Sequence, residues 1–227
     1  KSFLNVINAY SNDKRVIIFV ADDSSNEYQK ECIKKKCFEK NIIYMEGKRT
    51  LPSDNWNYLM KKIRTPYFVL NHHDEYPNNL LFLDHLDSKN LGLLVLPCDS
   101  SRDEKHLHKV YSWQQRIFSI ICLWFPNPSF NMILAPTAAI IVNSELKSIR
   151  FDNKLTWFID ADWYQRLFKL AFRKNLIIKF YSNSRIISFQ SDNSITKKIQ
   201  NKLFKQIKME KIYFKYLNML PNRFIRL

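Results

Sequence analysis

Apolar positions along this chain fall into blocks whose period switches between that of a helix and that of a strand. Phe3, Leu4, Val6 and Ile7 recur at helical spacing and predict a short helix, closed by the turn chemistry of Ser11-Asn12-Asp13. From Arg15 to Ala21 the run Val16-Ile17-Ile18-Phe19-Val20 predicts a strand covered on both faces, which empties into Asp22-Asp23-Ser24-Ser25. Tyr28, Cys32, Ile33 and Cys37 predict a helix over Asn26 to Lys40, and Asn41 to Met45 reads as a second strand. Ser53-Asp54 is the expected N-cap of a helix through Arg64 that Pro66 stops, and Tyr67 to Leu70 is a third strand, closing in Asn71-His72-His73-Asp74-Glu75. Leu91 to Leu96 and Ala138 to Val142 predict further strands, Trp113 to Trp124 a strongly apolar helix, and Trp157 to Phe172 an amphipathic one. Strands alternating with helices imply an α/β fold with a doubly wound, mostly parallel sheet flanked by helices, which binds ligands at the carboxyl ends of its strands.

Composition narrows the chemistry. The chain has 227 residues, 46% hydrophobic and 15% aromatic, enough for a sizeable core. Only Gly47 and Gly92 are glycine, so the glycine-rich phosphate loops of dinucleotide enzymes and P-loop kinases are absent. Cys32, Cys37, Cys98 and Cys122 lack the paired spacing of a zinc site and suit a reduced, cytoplasmic protein. The apolar run Ile117 to Phe125 is far shorter than the roughly 20 residues that span a bilayer. Lys1 is not an initiator methionine and the first residues lack the order of a signal peptide, so the expectation is a fragment.

Three acidic clusters stand at the ends of predicted elements. Asp22-Asp23 would repel each other unless solvated, paired or engaged by a ligand; the plainer reading is a turn that caps the next helix. Asn71-His72-His73-Asp74-Glu75 gathers imidazoles and carboxylates suited to a divalent cation bridging a diphosphate, against a polar loop capping a helix that starts near Pro77. Asp160 and Asp162 sit early in a helix, where capping is the ordinary role, yet a carboxylate beside aromatic residues there can act as a general base. Arg166 lies one turn beyond Asp162 on the same face and is placed to pair with it.

With these residues quoted, the chain from about Phe3 to Thr196 resembles the family-2 glycosyltransferases, inverting enzymes of the GT-A fold, apart from a first strand that has no counterpart before Phe3. Val20-Ala21-Asp22-Asp23-Ser24-Ser25 is similar to the family's strand-end Asp-Asp-x-Ser, which implies nucleoside contacts for Asp22, Asp23 and Ser25. Asn55-Trp56-Asn57 and then Tyr67 to Pro77 resemble the stretch leading into the family's metal motif. This implies donor contacts for Asn55 and His73, and a divalent cation, Mn2+ or Mg2+, at Asp74, His72 and Glu75; the motif's earlier acidic positions are here Asn and His. Asn131 to Ala138 resembles the loop and strand beside the acceptor, which implies that Pro136 and Thr137 face it, with Trp163 beyond. Phe151-Asp152-Asn153 and Trp157 to Leu167 resemble the segment holding the catalytic aspartate, implying Asp160 as base with Asp162 and Arg166 in support. Gln190 to Thr196 is similar to the family's closing segment.

The implied protein is a glycosyltransferase domain over 1–194, with a donor half over 1–100 and an acceptor half over 101–194, followed by a basic tail over 195–227. Its partners would be a nucleotide-sugar donor and a glycan or lipid-linked acceptor in cell-surface polysaccharide synthesis. Formal net charge is +15, concentrated after Thr196 in Lys197, Lys198, Lys202, Lys205, Lys208, Lys211, Lys215, Arg223 and Arg226 against the single acid Glu210. Ile199, Leu203, Phe204, Ile207, Ile212, Phe214 and Leu217 interleave with these lysines, so the tail reads as a helix that either lies on an anionic membrane, at the inner face of the plasma membrane, or packs on the domain. Two other classes compete: an inactive protein of this fold that binds glycan or a partner, and a nucleic-acid-binding domain, which the acids at strand ends and the missing recognition motif argue against.

Overall fold

The computed structural model of the chain describes residues 2–47, 51–101, 107–124, 131–189 and 206–213. Helix α1 (Ser2–Ser11) buries Ile7 and Tyr10 and leads into β1 (Phe19–Asp22). Helix α2 (Glu27–Glu39) then crosses to β2 (Ile43–Glu46), which pairs parallel with β1 from Phe19 opposite Ile43 to Asp22 opposite Glu46. Strand β1 begins later than its apolar run: Val16 closes a turn onto Asp13, and Ile17 is exposed. Hydrogen bonding within a pair, rather than apolarity, sets the start of a strand that has a single partner among the described residues.

Helix α3 (Pro52–Lys62) starts two to three residues earlier than Ser53-Asp54 implied, because Pro52 suits the first helical position and Asp54 reaches back to the Leu51 amide. Beyond it come β3 (Tyr67–Phe68), β4 (Glu75–Pro77), β5 (Leu91–Val95), the hairpin of β6 (Cys98–Ser101) and β7 (Leu107–Val110), α4 (Ser112–Trp124), β8 (Ile140–Asn143), α5 (Ile159–Arg173), β9 (Ile177–Phe180) and β10 (Ile186–Phe189). The order β3-β8-β5-β9 makes the central sheet and β4-β10-β6-β7 a second one. The expected α/β layering is present, but pairing is mixed rather than mostly parallel: β5·β9 and β6·β10 are parallel, while β8 runs antiparallel between β3 and β5, and β4·β10 and β6·β7 are antiparallel. The β6–β7 hairpin and α4 intervene before β8, so the chain re-enters the sheet reversed.

All five residues of β5 are buried, as a strand covered on both faces requires, and α5 lays Trp163, Tyr164, Leu167, Phe168 and Ala171 against the same core. Residues 206–213 form a helical segment that contributes Ile207 and Tyr213 to the margin of this core. The closing segment Gln190 to Thr196 and most of the basic tail lie outside the described residues.

Gly92 sits where β5 slips register against β9, and a Cβ built there would stand 2.6 Å from the Cβ of Leu176. That neighbour is the stem of a side chain, so it yields only with its backbone. We expect Gly92→Ala to lower unfolding free energy by about 1–3 kcal/mol, the usual penalty of overpacking, measurable by urea denaturation; unchanged stability would show that the strand pair gives way easily.

Candidate active site

Asp22 ends β1 and is buried. Its Oδ1 accepts the Ser24 amide at 2.9 Å and its Oδ2 the Tyr44 hydroxyl at 3.3 Å, while its carbonyl takes the Gly47 amide at 2.8 Å. Burial, and next the Asp22 charge, push the Tyr44 hydroxyl up to about 12. A Cβ at Gly47 would lie 3.0 Å from both the Asp22 carbonyl carbon and Asn55 Oδ1, so the missing side chain lets α3 bring Asn55 close to the strand end. Asp23 and Ser25 are exposed beyond it. The helix-capping role expected of the acids belongs to Asn26, whose side chain accepts the Gln29 amide at 3.1 Å.

The Asn71–Glu75 stretch is held from below. Tyr10 donates to Asn71 Oδ1 at 3.2 Å, and Asn71 Nδ2 donates to the Glu75 carbonyl at 2.7 Å. Pro77 closes a strand rather than opening a helix, with a short 3-10 helix following only at Leu81–His85; Glu75 opens β4 and turns its carboxyl inward, where it accepts the amides of His72 and Ala138. Burial first, and then the neighbouring Asp74 charge, push its carboxyl up to about 8. His72 packs edge-on against Trp56 with centroids 4.9 Å apart, His73 is exposed and Asp74 half-buried. Among the described residues no group of three or more His, Cys, Asp or Glu is arranged to hold a metal ion. With Glu75 buried and turned inward, Asp74, His72 and Glu75 are not gathered as a ligand set for a divalent cation.

Helix α5 has no side-chain cap at Phe158 and carries Asp160 in its first turn, at the positive end of the helix dipole. Asp160 Oδ1 is sealed from solvent and has no hydrogen-bond partner. Burial raises its carboxyl to about 6; the His72 field opposes that rise and Glu75 adds to it. Asp162 is buried and paired with Arg166, whose Nε lies 2.7 Å from Oδ2, whose Nη2 bonds the same oxygen, and whose Nη1 reaches the Arg150 carbonyl at 2.6 Å. The pair fastens α5 to the preceding loop, so its part is positional.

One acceptor-side expectation is corrected by burial. Trp163 is fully enclosed, donates from Nε1 to the Ile149 carbonyl at 2.9 Å and stacks on Phe151 at 4.5 Å; aromatic size and core position, not ligand contact, account for it. Thr137 is likewise buried, with Oγ1 unpartnered, whereas Pro136 is half-buried. Just before them Leu134 holds a left-handed backbone, φ 51°, in a turn closed by Asn131 Nδ2 on the Ala135 carbonyl.

Asp22, Asn55, His72, Glu75 and Asp160 lie near one another through a chain of neighbours. Asn55 stands at Asp22, the next residue, Trp56, packs on both His72 and Phe151, and His72 and Glu75 lie within electrostatic reach of Asp160. The sequence did not single out Glu210, although a lone acid among lysines was a signal. Its buried carboxylate accepts the amides of Thr156, Trp157 and Phe158 at 2.9–3.0 Å and the Gln206 side chain at 2.7 Å. Tyr213 adds a 2.7 Å bond to Asp152. The terminal segment therefore clamps the loop that launches Asp160.

No protein-family model matches the chain, and no curated protein matches it. Solved structures do. The 1–349 fragment of S. aureus TarS in complex with UDP-GlcNAc aligns with a TM-score of 0.59 at 15% identity, covering 85% of this chain and 56% of that one. The same fragment in complex with UDP gives 0.55 at 16%, covering 84% and 58%. Glucosyl-3-phosphoglycerate synthase from Mycobacterium tuberculosis, in complex with phosphoglyceric acid, gives 0.50 at 9%, covering 87% and 69%. The chain has the α/β fold of the GT-A glycosyltransferases, and it spans about half the length of the TarS fragment.

Because folding raises the Glu75 pKa, the stabilisation from its protonated form is complete below about 4.5 and is lost as pH rises through about 8. Glu75→Gln, which never ionises, should therefore gain in melting temperature relative to wild type as pH increases across that window; a difference that stays flat with pH would place the Glu75 carboxyl in water. Glu210→Ala strips the acceptor from three amides, and we expect a loss of about 1–3 kcal/mol with faster hydrogen exchange at Thr156, Trp157 and Phe158. Unaltered exchange there would contradict the clamp.

Proposed function

We propose that this chain is a nucleotide-sugar-dependent glycosyltransferase of the family-2 type, moving a sugar from a nucleoside diphosphate such as UDP to a hydroxyl of a glycan or lipid-linked acceptor with inversion, in cell-surface polysaccharide synthesis at the cytoplasmic side of the membrane. The observation that carries this reading is Asp160 Oδ1, a buried carboxylate oxygen without a partner at a helix start, since such groups persist where a ligand completes them. Its fold likeness to TarS bound to UDP-GlcNAc supports the donor class.

Asp160 would accept the acceptor hydroxyl's proton as that oxygen attacks the anomeric carbon, and the diphosphate would leave from the opposite face, inverting the centre. The two carboxyls divide the work by their environments: near neutral pH the buried Glu75 keeps its proton and the half-buried Asp160 has lost its own. A base with a pKa of about 6 balances availability against driving force. Asp22 and Asn55, with Asp23 and Ser25 at the exposed rim, would take the nucleoside, and His73 the donor's outer end. No step is assigned to a metal ion.

An inactive protein of this fold that binds glycan or a partner is the second reading, favoured by Asn71 and His72 standing where the resembled metal motif has acids. Calorimetric titration with UDP-GlcNAc and other UDP sugars, followed by turnover, separates the two: no donor binding and no transfer selects the rival. For the enzyme we expect Asp160→Asn to cut turnover by about 10²–10⁴-fold with fold and donor affinity kept, and wild-type turnover to climb as pH rises through about 6. Undiminished turnover in that variant would sink the base assignment.

A further inference from the structure

Helix α4 is built inside out. Its buried side carries Gln115, Ser119 and Cys122, and its outward side carries Trp113, Ile117, Ile120, Ile121 and Trp124, each between 48% and 79% exposed. Those five recur at the spacing of one helical face. The helix cannot relieve this by rolling over, because its polar side is fastened: Gln115 Nε2 donates to the carbonyls of Leu96 and Ile133, each at 2.9 Å, and Ser119 Oγ to those of Gln115 and Met132 at 2.7 and 3.2 Å. An apolar stripe of this length turned outward by bonds that hold it there marks a surface made for a partner.

We propose that the outward face of α4 docks on the interfacial zone of an anionic lipid bilayer. Charge chooses this occupant. The chain carries +15, so two copies meeting face to face would repel, whereas acidic headgroups attract it. The helix has no acid, and its one charged residue, Arg116, is exposed beside the stripe, with Lys109 exposed in β7 just before it. Tryptophans at both ends of the stripe have an apolar body and a polar N–H, the pairing that suits the headgroup boundary. Thirteen residues make a helix about 20 Å long, one that lies along the interface. No helix of the described residues is long and apolar enough to cross a membrane.

Docking there has a consequence for the site. The carbonyls that anchor α4, those of Met132 and Ile133, belong to the turn whose Ala135 carbonyl accepts the Tyr164 hydroxyl on α5 at 3.3 Å. A bilayer under α4 would hold the Asp160 helix near the plane of a lipid-linked hydroxyl. This last clause rests on the proposed function; the docking does not.

The test uses the full chain and vesicles of phosphatidylcholine with and without about one third phosphatidylglycerol. Wild type should cosediment with the anionic vesicles, and brominated acyl chains should quench its tryptophan emission. The double variant Ile117→Ser with Ile121→Ser, both exposed positions, should keep its melting temperature and bind at least about tenfold more weakly. Should that variant fail to fold, Trp124→Phe on its own must remove part of the brominated-lipid quenching. Equal binding by the stripe variant, vesicle binding without quenching, no vesicle binding, or a stripe-dependent dimer in sedimentation would each overturn the proposal. Since no readout involves sugar transfer, its failure is distinct from that of the enzyme reading.

Discussion

The start of α5 is where this fold concentrates its unfavourable electrostatics, and the rest of the site follows from how three carboxylates are accommodated there. Asp162 is neutralised by Arg166, and the same guanidinium ties the helix to the Arg150 carbonyl. Glu210 is brought from the far end of the chain to fill the row of amides at Thr156, Trp157 and Phe158. Both arrangements satisfy a buried charge with directed hydrogen bonds, as burial demands. Asp160, between them, has an oxygen with no partner and is held in place by neighbours that are fully satisfied. The asymmetry is what makes it the reactive candidate: support on either side holds one carboxylate oxygen, Oδ1, away from solvent without a partner.

Much of the scaffold for this was legible along the chain because its periodicity was strong. The runs Leu91 to Leu96 and Trp113 to Trp124 gave β5 and α4, and the acids at the ends of β1 and α5 were recognisable because polar residues following an apolar block have few structural uses. What escaped notice was short or polar. Strands β6 and β7 contain Cys98-Asp99-Ser100-Ser101 and Leu107-His108-Lys109-Val110, whose pairing depends on β10 and on each other rather than on a local pattern. Strand β9, with its apolar Ile177-Ile178, is short and only partly buried, and gained its place from β5.

Residue roles were harder to read than elements, for a related reason: a sequence reports a side chain's chemistry but not the direction in which it points. The family resemblance implied Trp163 on the acceptor side; yet successive helical residues point about 100° apart, and Trp163 faces Phe151 in the core. Glu75 follows Asp74 and shared its expected role, but Asp74 ends a turn while Glu75 opens β4, and Glu75 is the one that faces inward. Glu210 was inaccessible to local reading because its partners lie more than fifty residues upstream.

Helix α4 poses the same problem in its sharpest form. Its period announces one apolar and one polar face, and the ordinary inference would bury the tryptophans and isoleucines. The decision is made elsewhere, by the carbonyls of Leu96, Met132 and Ile133, which end a strand and shape a tight turn and so have no ladder of their own to join. A buried carbonyl left without a donor costs about 1–3 kcal/mol, and Gln115 and Ser119 are the donors within reach. Satisfying those groups fixes the rotation of the helix and turns its apolar side outward. The exposed stripe is therefore not an accident of loose packing but the counterpart of the bonds that hold the turn beside α5 in shape.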